Sequence, residues 1–189
     1  MPAQKNRTII CSVVFLDMVG YSKMTVRRQH VVKSAFNEMV GETIDRIPED
    51  ERIVLDTGDG AALSFIDDPE DALFVAMDLR SLFAEREVDD RPFPPVRIGI
   101  NLGPVRMVAD LSGRVNLIGD GINVGQRIMS FAEPGQILVA RSYFEVVGCL
   151  SAKHARLFRY LGERRDKHVR EHVVYEVHLD DQDATDPSV

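Results

Sequence analysis

The apolar positions of this chain switch between two periods, and the switches divide it into elements. Residues 8–16 (TIICSVVFL) are a near-continuous β-branched and apolar run, the pattern of a strand covered on both faces, and the run stops at Asp17. After the loop Asp17-Met18-Val19-Gly20-Tyr21-Ser22, Val32, Ala35, Phe36, Met39, Val40, Thr43, Ile44 and Ile47 fall at helical spacing on one stripe. Pro48 ends that helix. Residues 52–56 and 61–66 read as two short strands around Thr57-Gly58-Asp59-Gly60, because an Asp-Gly step between apolar runs is a strong hairpin signal. Asp67-Asp68-Pro69-Glu70 opens a second helix with an acidic cap and Pro in the first turn, striped by Ala72, Val75, Ala76, Leu79, Leu82 and Phe83. Arg91-Pro92-Phe93-Pro94-Pro95 is a rigid connector into a fourth strand at 96–102.

The order β-α-β-β-α-β is the split βαβ plan, so the fold class is α+β with a ferredoxin-like core. Right-handed crossovers put strands one and three side by side and antiparallel in the middle of the sheet. A C-terminal extension follows: a strand at 104–108, a loop at 110–114, a helix starting near Gly119-Asp120, and strands at 136–140 and 173–179. Residues 1–179 form one domain without internal repeats, and the acidic stretch 180–189 (DDQDATDPSV) is expected to be a mobile tail, as a natural end or the start of a linker.

Composition narrows the function. A chain of 189 residues with 44% hydrophobic and 28% charged residues buries a core without disulfides or structural metal. Its net charge of -7 has the wrong sign for wrapping a nucleic acid, so a polyanionic ligand must bring cations with it. No apolar stretch is long enough to cross a bilayer and the start lacks a signal-peptide core, which predicts a cytoplasmic protein without a membrane segment. Cys11 and Cys149 lack any CxxC or Cys/His spacing and stand in apolar surroundings, which predicts two buried, reduced thiols.

The predicted topology brings the end of strand one beside the start of strand three, making Asp17 and Asp59 neighbours. Two carboxylates at adjacent loop ends on a rigid sheet can hold a pair of hard divalent ions, completed by water and phosphate oxygens. The plainer alternative is that Asp17 ends a strand and Asp59 serves a turn. Asn123 and Arg127 are spaced i, i+4 and share one helix face, where they could bond a ribose oxygen and neutralise a phosphate. Alternatively that face is only solvated, with Asp120 as its cap.

Four motifs taken together resemble the catalytic domain of class III nucleotide cyclases. They are Phe15-Leu16-Asp17-Met18-Val19-Gly20-Tyr21-Ser22, Gly58-Asp59-Gly60, Val96-Arg97-Ile98-Gly99-Ile100 with Gly103-Pro104-Val105, and Gly119-Asp120-Gly121-Ile122-Asn123-Val124-Gly125-Gln126-Arg127 followed by Pro134-Gly135-Gln136-Ile137. The resemblance spans residues 8–179. It implies an enzyme that joins the ribose 3′ oxygen of a nucleoside triphosphate, ATP or GTP, to the α-phosphate and releases pyrophosphate. It also implies two Mg2+ or Mn2+ ions per site, held by Asp17, Asp59 and the Met18 carbonyl. Asn123 would orient the ribose and Arg127 would stabilise charge on the α-phosphate. Members of the family work as head-to-tail dimers that share their sites, which implies a homodimer.

Two positions depart from the family pattern. Leu55 and Asn116 stand where the base is usually read, and leucine can read no base edge. Asp56, next to Leu55, should point to the other face of its strand. In the basic group Arg164, Arg165 and Lys167, Lys167 best matches the family's triphosphate-binding lysine, although its distance to Tyr175 is one residue short; the cluster could equally be a solvated loop. The departures support an alternative reading, a degenerate cyclase-like module that binds a nucleotide or a partner and signals through its dimer interface. A diguanylate cyclase would need a GG[DE]EF-type turn, and Thr57-Gly58-Asp59-Gly60 is not one.

Overall fold

The computed structural model describes residues 8–167 and 169–178. The elements run β1 (Thr8–Met18), α1 (Val26–Ile44), β2 (Arg52–Asp56), β3 (Gly60–Phe65), α2 (Pro69–Glu85), β4 (Val96–Ala109), β5 (Val115–Ile118), α3 (Asp120–Ser130), β6 (Ile137–Ala140), α4 (Arg141–Val147), α5 (Ala152–Arg156), β7 (Phe158–Arg165) and β8 (Glu171–Val177). One sheet carries all the strands in the order β2-β3-β1-β4-β6-β8-β7, with β5 paired to β4. The central β1 is antiparallel to both β3 and β4, as the crossover argument requires.

Strand alternation sorts the core into two layers. Val14, Leu16 and Met18 of β1, with Ile98 and Ile100 of β4, face α1, α2 and α4, where they pack with Phe36, Leu79, Phe83 and Tyr143. Cys11, Val13 and Phe15 point to the opposite face, under Leu117 of β5 and Met129 of α3. Asp17 and Arg97 share that second face by parity. α3 lies so close to β4 that a Cβ on Gly99 would stand 2.2 Å from the Met129 backbone nitrogen. Only glycine permits this approach, and it fixes where the polar face of α3 emerges.

Several expectations change in detail. β1 continues through Asp17 to Met18, because Asp17 pairs with Gly60 on one side and Arg97 on the other. The two strands expected at 96–102 and 104–108 are one continuous β4, since Gly103 and Pro104 stay in register against Cys11 and Ile10 near the start of β1. β5, α4, α5 and β7 had no sequence expectation, being short or rich in charge. Leu82, expected on the buried stripe, is 42% exposed. Cys11 is buried and burial pushes its thiol up to about 11, whereas Cys149 is exposed in the turn after α4. The tail expected at 180–189 lies outside the described residues.

Candidate active site

The β2–β3 turn delivers Asp59 to the end of β1. Gly58 takes a left-handed φ of 88°, and a Cβ on Gly60 would lie 1.8 Å from the Leu16 carbonyl oxygen, so both glycines are required by the approach. The Met18 N–H donates to the Asp59 carbonyl at 2.9 Å, and Asp17 faces Gly60 across the ladder. Asp17 and Asp59 are therefore brought together at one sheet end, as the topology predicts. Lys33 of α1 steadies the same turn, donating to the Gly60 carbonyl at 2.9 Å and to Asp56 at 3.0 Å. Burial pushes the Asp56 carboxyl up, but the Gly58 N–H and Lys33 outweigh it and leave it below its ordinary range.

Arg97, which sequence reasoning did not single out, stands beside Asp17 on β4. Its Nε donates to the Asp17 Oδ2 at 3.1 Å, and the Asp17 side chain is only 18% exposed. The ladder pairing of Asp17 with Arg97 was the signal available, but it emerges only once the β1–β4 register is known. The Asp17 and Asp59 carboxylates and the Met18 carbonyl offer only hard oxygens to an ion. Among the described residues no group of three or more His, Cys, Asp and Glu could cage a metal. A divalent ion here must complete its shell with water and phosphate oxygens, the mode that suits Mg2+ or Mn2+ and does not suit zinc.

Leu55 and Asn116 line one cleft of about 410 Å³ between β2, β5 and α3, with Phe15, Ile122 and Gln126 among its walls. Asn116 accepts from the Leu117 N–H at 2.7 Å through its Oδ1, which directs its amide nitrogen away from that bond. Asp56 engages Lys33 of the opposite helical layer, so alternation separates it from Leu55 as expected.

Asn123 is exposed on α3 and Arg127 is half-buried one turn on. Asp120 does not cap this helix. Gly119 holds the cap position, and Asp120 pairs with Arg170 at 2.8 Å, the hydrogen bond from Arg170 holding its carboxyl below the usual range. Lys167 is exposed in the β7–β8 turn, Arg165 pairs with Glu171 at 2.6 Å, and Arg164 and Arg165 belong to β7 rather than to a loop. Among the described residues no hydrogen bond or ion pair joins Asp17 or Asp59 to Asn123 or Arg127.

In fold, this chain is similar to adenylate and guanylate cyclase catalytic domains. The guanylate cyclase domain of RhGC from Catenaria anguillulae, solved in complex with GTP, superposes with a TM-score of 0.77 at 18% identity, covering 91% of this chain and 98% of that one. The adenylyl cyclase CyaB from P. aeruginosa gives a TM-score of 0.77 at 17% identity, covering 94% and 98% of the two chains. A chain described as adenylate/guanylate cyclase/hydrolase from Silicibacter pomeroyi gives 0.71 at 24% identity, over 92% and 99%. Among curated proteins, "Putative adenylate cyclase 3" of Rhizobium meliloti is 30% identical over 152 residues, 78% of this chain. The chain spans 25% of that relative's length. No family model matches the sequence.

Proposed function

We propose that this domain converts a nucleoside triphosphate, ATP or GTP, into its 3′,5′-cyclic nucleotide and pyrophosphate, as a homodimer with composite sites and two Mg2+ or Mn2+ ions in each. The observation that carries this reading is the register of Asp17 against Gly60 and Arg97, with the Met18 N–H on the Asp59 carbonyl, at one end of the sheet. Asp17, Asp59 and the Met18 carbonyl would hold the ions, which when bound supply the positive charge that acidifies the ribose hydroxyl and neutralises the triphosphate.

The chain's own residues do the rest. One protomer's Leu55 and Asn116 receive the base, and its Asn123 holds the ribose so that the 3′ oxygen faces the α-phosphorus. The 3′ O–P bond forms as the bond from the α-phosphorus to the α–β bridging oxygen breaks. The hydroxyl proton passes to water and pyrophosphate departs. Arg127 spreads the charge that builds on the α-phosphate, a task suited to a planar guanidinium. Lys167 meets the remaining phosphate charge. That no hydrogen bond or ion pair joins Asp17 or Asp59 to Asn123 or Arg127 among the described residues is consistent with sites shared between two copies.

Leu55 favours a second reading, because an apolar side chain in the cleft forgoes a hydrogen bond to the base: a cyclase-like module that binds a nucleotide or partner without turnover. Incubation of a verified dimer with ATP, GTP, CTP and UTP and Mg2+ or Mn2+, followed by chromatography, separates the two. Cyclic product supports the enzyme; none from all four supports the module.

A further inference from the structure

The Asp166 side chain, between β7 and β8, is only 6% exposed, and a carboxylate that deep is costly unless its oxygens are used. Its Oδ1 accepts the Arg170 N–H at 3.1 Å, closing the turn that carries Lys167. Its Oδ2 meets His172 Nε2 at 3.1 Å and lies 3.9 Å from Arg127 Nε. His172 is itself buried, its ring 5.9 Å from that of Phe131 just beyond α3. One carboxylate thus joins three separate pieces of the structure: the β7–β8 turn, β8 and the polar face of α3. Among the described residues Arg127 makes no side-chain hydrogen bond, and its Nε contact with Asp166 at 3.9 Å is an ion pair rather than a hydrogen bond.

We infer that Asp166 is a positioning residue, seated by His172, that sets Arg127 on α3 in register with Lys167 on the adjoining turn. The inference rests on the cyclase reading, in which both cations meet the triphosphate. A long guanidinium side chain left to itself samples many rotamers, whereas one fixed beforehand loses little freedom when charge develops. Asp166→Asn keeps an acceptor for the Arg170 N–H and removes the charge that holds Arg127, so the turn is retained while the register loosens.

The test is a double-mutant cycle with Arg127→Lys. Asp166→Asn should lower kcat by about 10- to 100-fold, move KM by less than about threefold, and leave Tm nearly unchanged. In the Arg127→Lys background the same substitution should change kcat by less than about twofold. His172→Gln should act in the same direction, less strongly, and with the same dependence on Arg127. An equal loss of kcat in both backgrounds, an effect confined to KM, or an unchanged kcat overturns the inference. The Arg127 Nε–Hε NMR cross-peak, assigned by its loss in Arg127→Lys, reads the same contact without turnover. Slow exchange in the wild type that becomes fast in Asp166→Asn supports the pairing; fast exchange in both overturns it. If the wild type makes no cyclic product, the cyclase reading falls, and the cross-peak still decides whether Asp166 holds Arg127.

Discussion

The two halves of the proposed site are built by different means. The acidic half, Asp17 and Asp59, is set by backbone pairing: β1 is bonded on both sides, and Gly58 and Gly60 allow one approach of the turn. The basic half, Arg127 and Lys167, hangs from a helix face and a turn, and its order comes from side chains, Asp166 and Arg170 above all. A ladder tolerates exchange of side chains that do not pack, whereas a side-chain network fails when one member is removed. Substitution of the exposed Asp59 should therefore cost chemistry without costing structure, while the basic half should be adjustable by residues that never touch the substrate.

The largest effect should come from the acidic half. Asp59→Asn changes an exposed side chain and keeps the backbone bond to Met18, so cyclic-product formation should fall by about a thousandfold or more with Tm within a degree or two. A fall in Tm that accompanies the loss would mean that the carboxylate serves the turn. Next in size, Gly99→Ala drives a Cβ into the backbone of α3 and should cost about 1–3 kcal/mol in chemical denaturation. An unchanged midpoint would show that α3 is not seated by β4 as described.

Specificity should respond at Leu55. Placing a donor there, as in Leu55→Gln, should change the ratio of kcat/KM between ATP and GTP by about 5- to 150-fold, the span of one hydrogen bond gained or lost at a buried edge. A ratio that does not move would remove the cleft between β2, β5 and α3 from base recognition. The smallest effect concerns the thiols. The buried Cys11 is raised in the folded state to about 11 from an ordinary 9.0, so the native protein favours its neutral thiol and the corresponding stability is lost as pH rises from about 9 through 11. A thiol reagent at pH 8 should modify Cys149 within minutes and Cys11 only on unfolding, as mass spectrometry of the native and denatured protein would show.

The same contrast separates what was legible in the sequence from what was not. The apolar run 8–16, the Asp-Gly turn and the two striped helices were readable because hydrophobic period and turn chemistry act over a few residues. They were enough to bring Asp17 beside Asp59. Local pattern could not show that Asp17 lies inside a strand, because its pairing with Arg97 depends on a register between segments eighty positions apart. β7 was missed because FRYLGERR is half charged, and an edge strand of that kind carries no alternating apolar signal. Asp166 and His172 had no motif at all, since a buried pair of polar residues is defined by what packs around it.

Whether the two halves meet only between chains is the central claim, and mixing two dead variants tests it most directly. Asp17→Ala lacks the acidic half and Arg127→Ala lacks the basic half, so each alone should be inactive. After co-refolding or co-expression in equal amounts, half of the dimers are mixed and each mixed dimer has one intact site of two, which predicts recovery of about a quarter of wild-type activity. A mixture that stays inactive while mixed dimers are shown to be present would contradict the shared site.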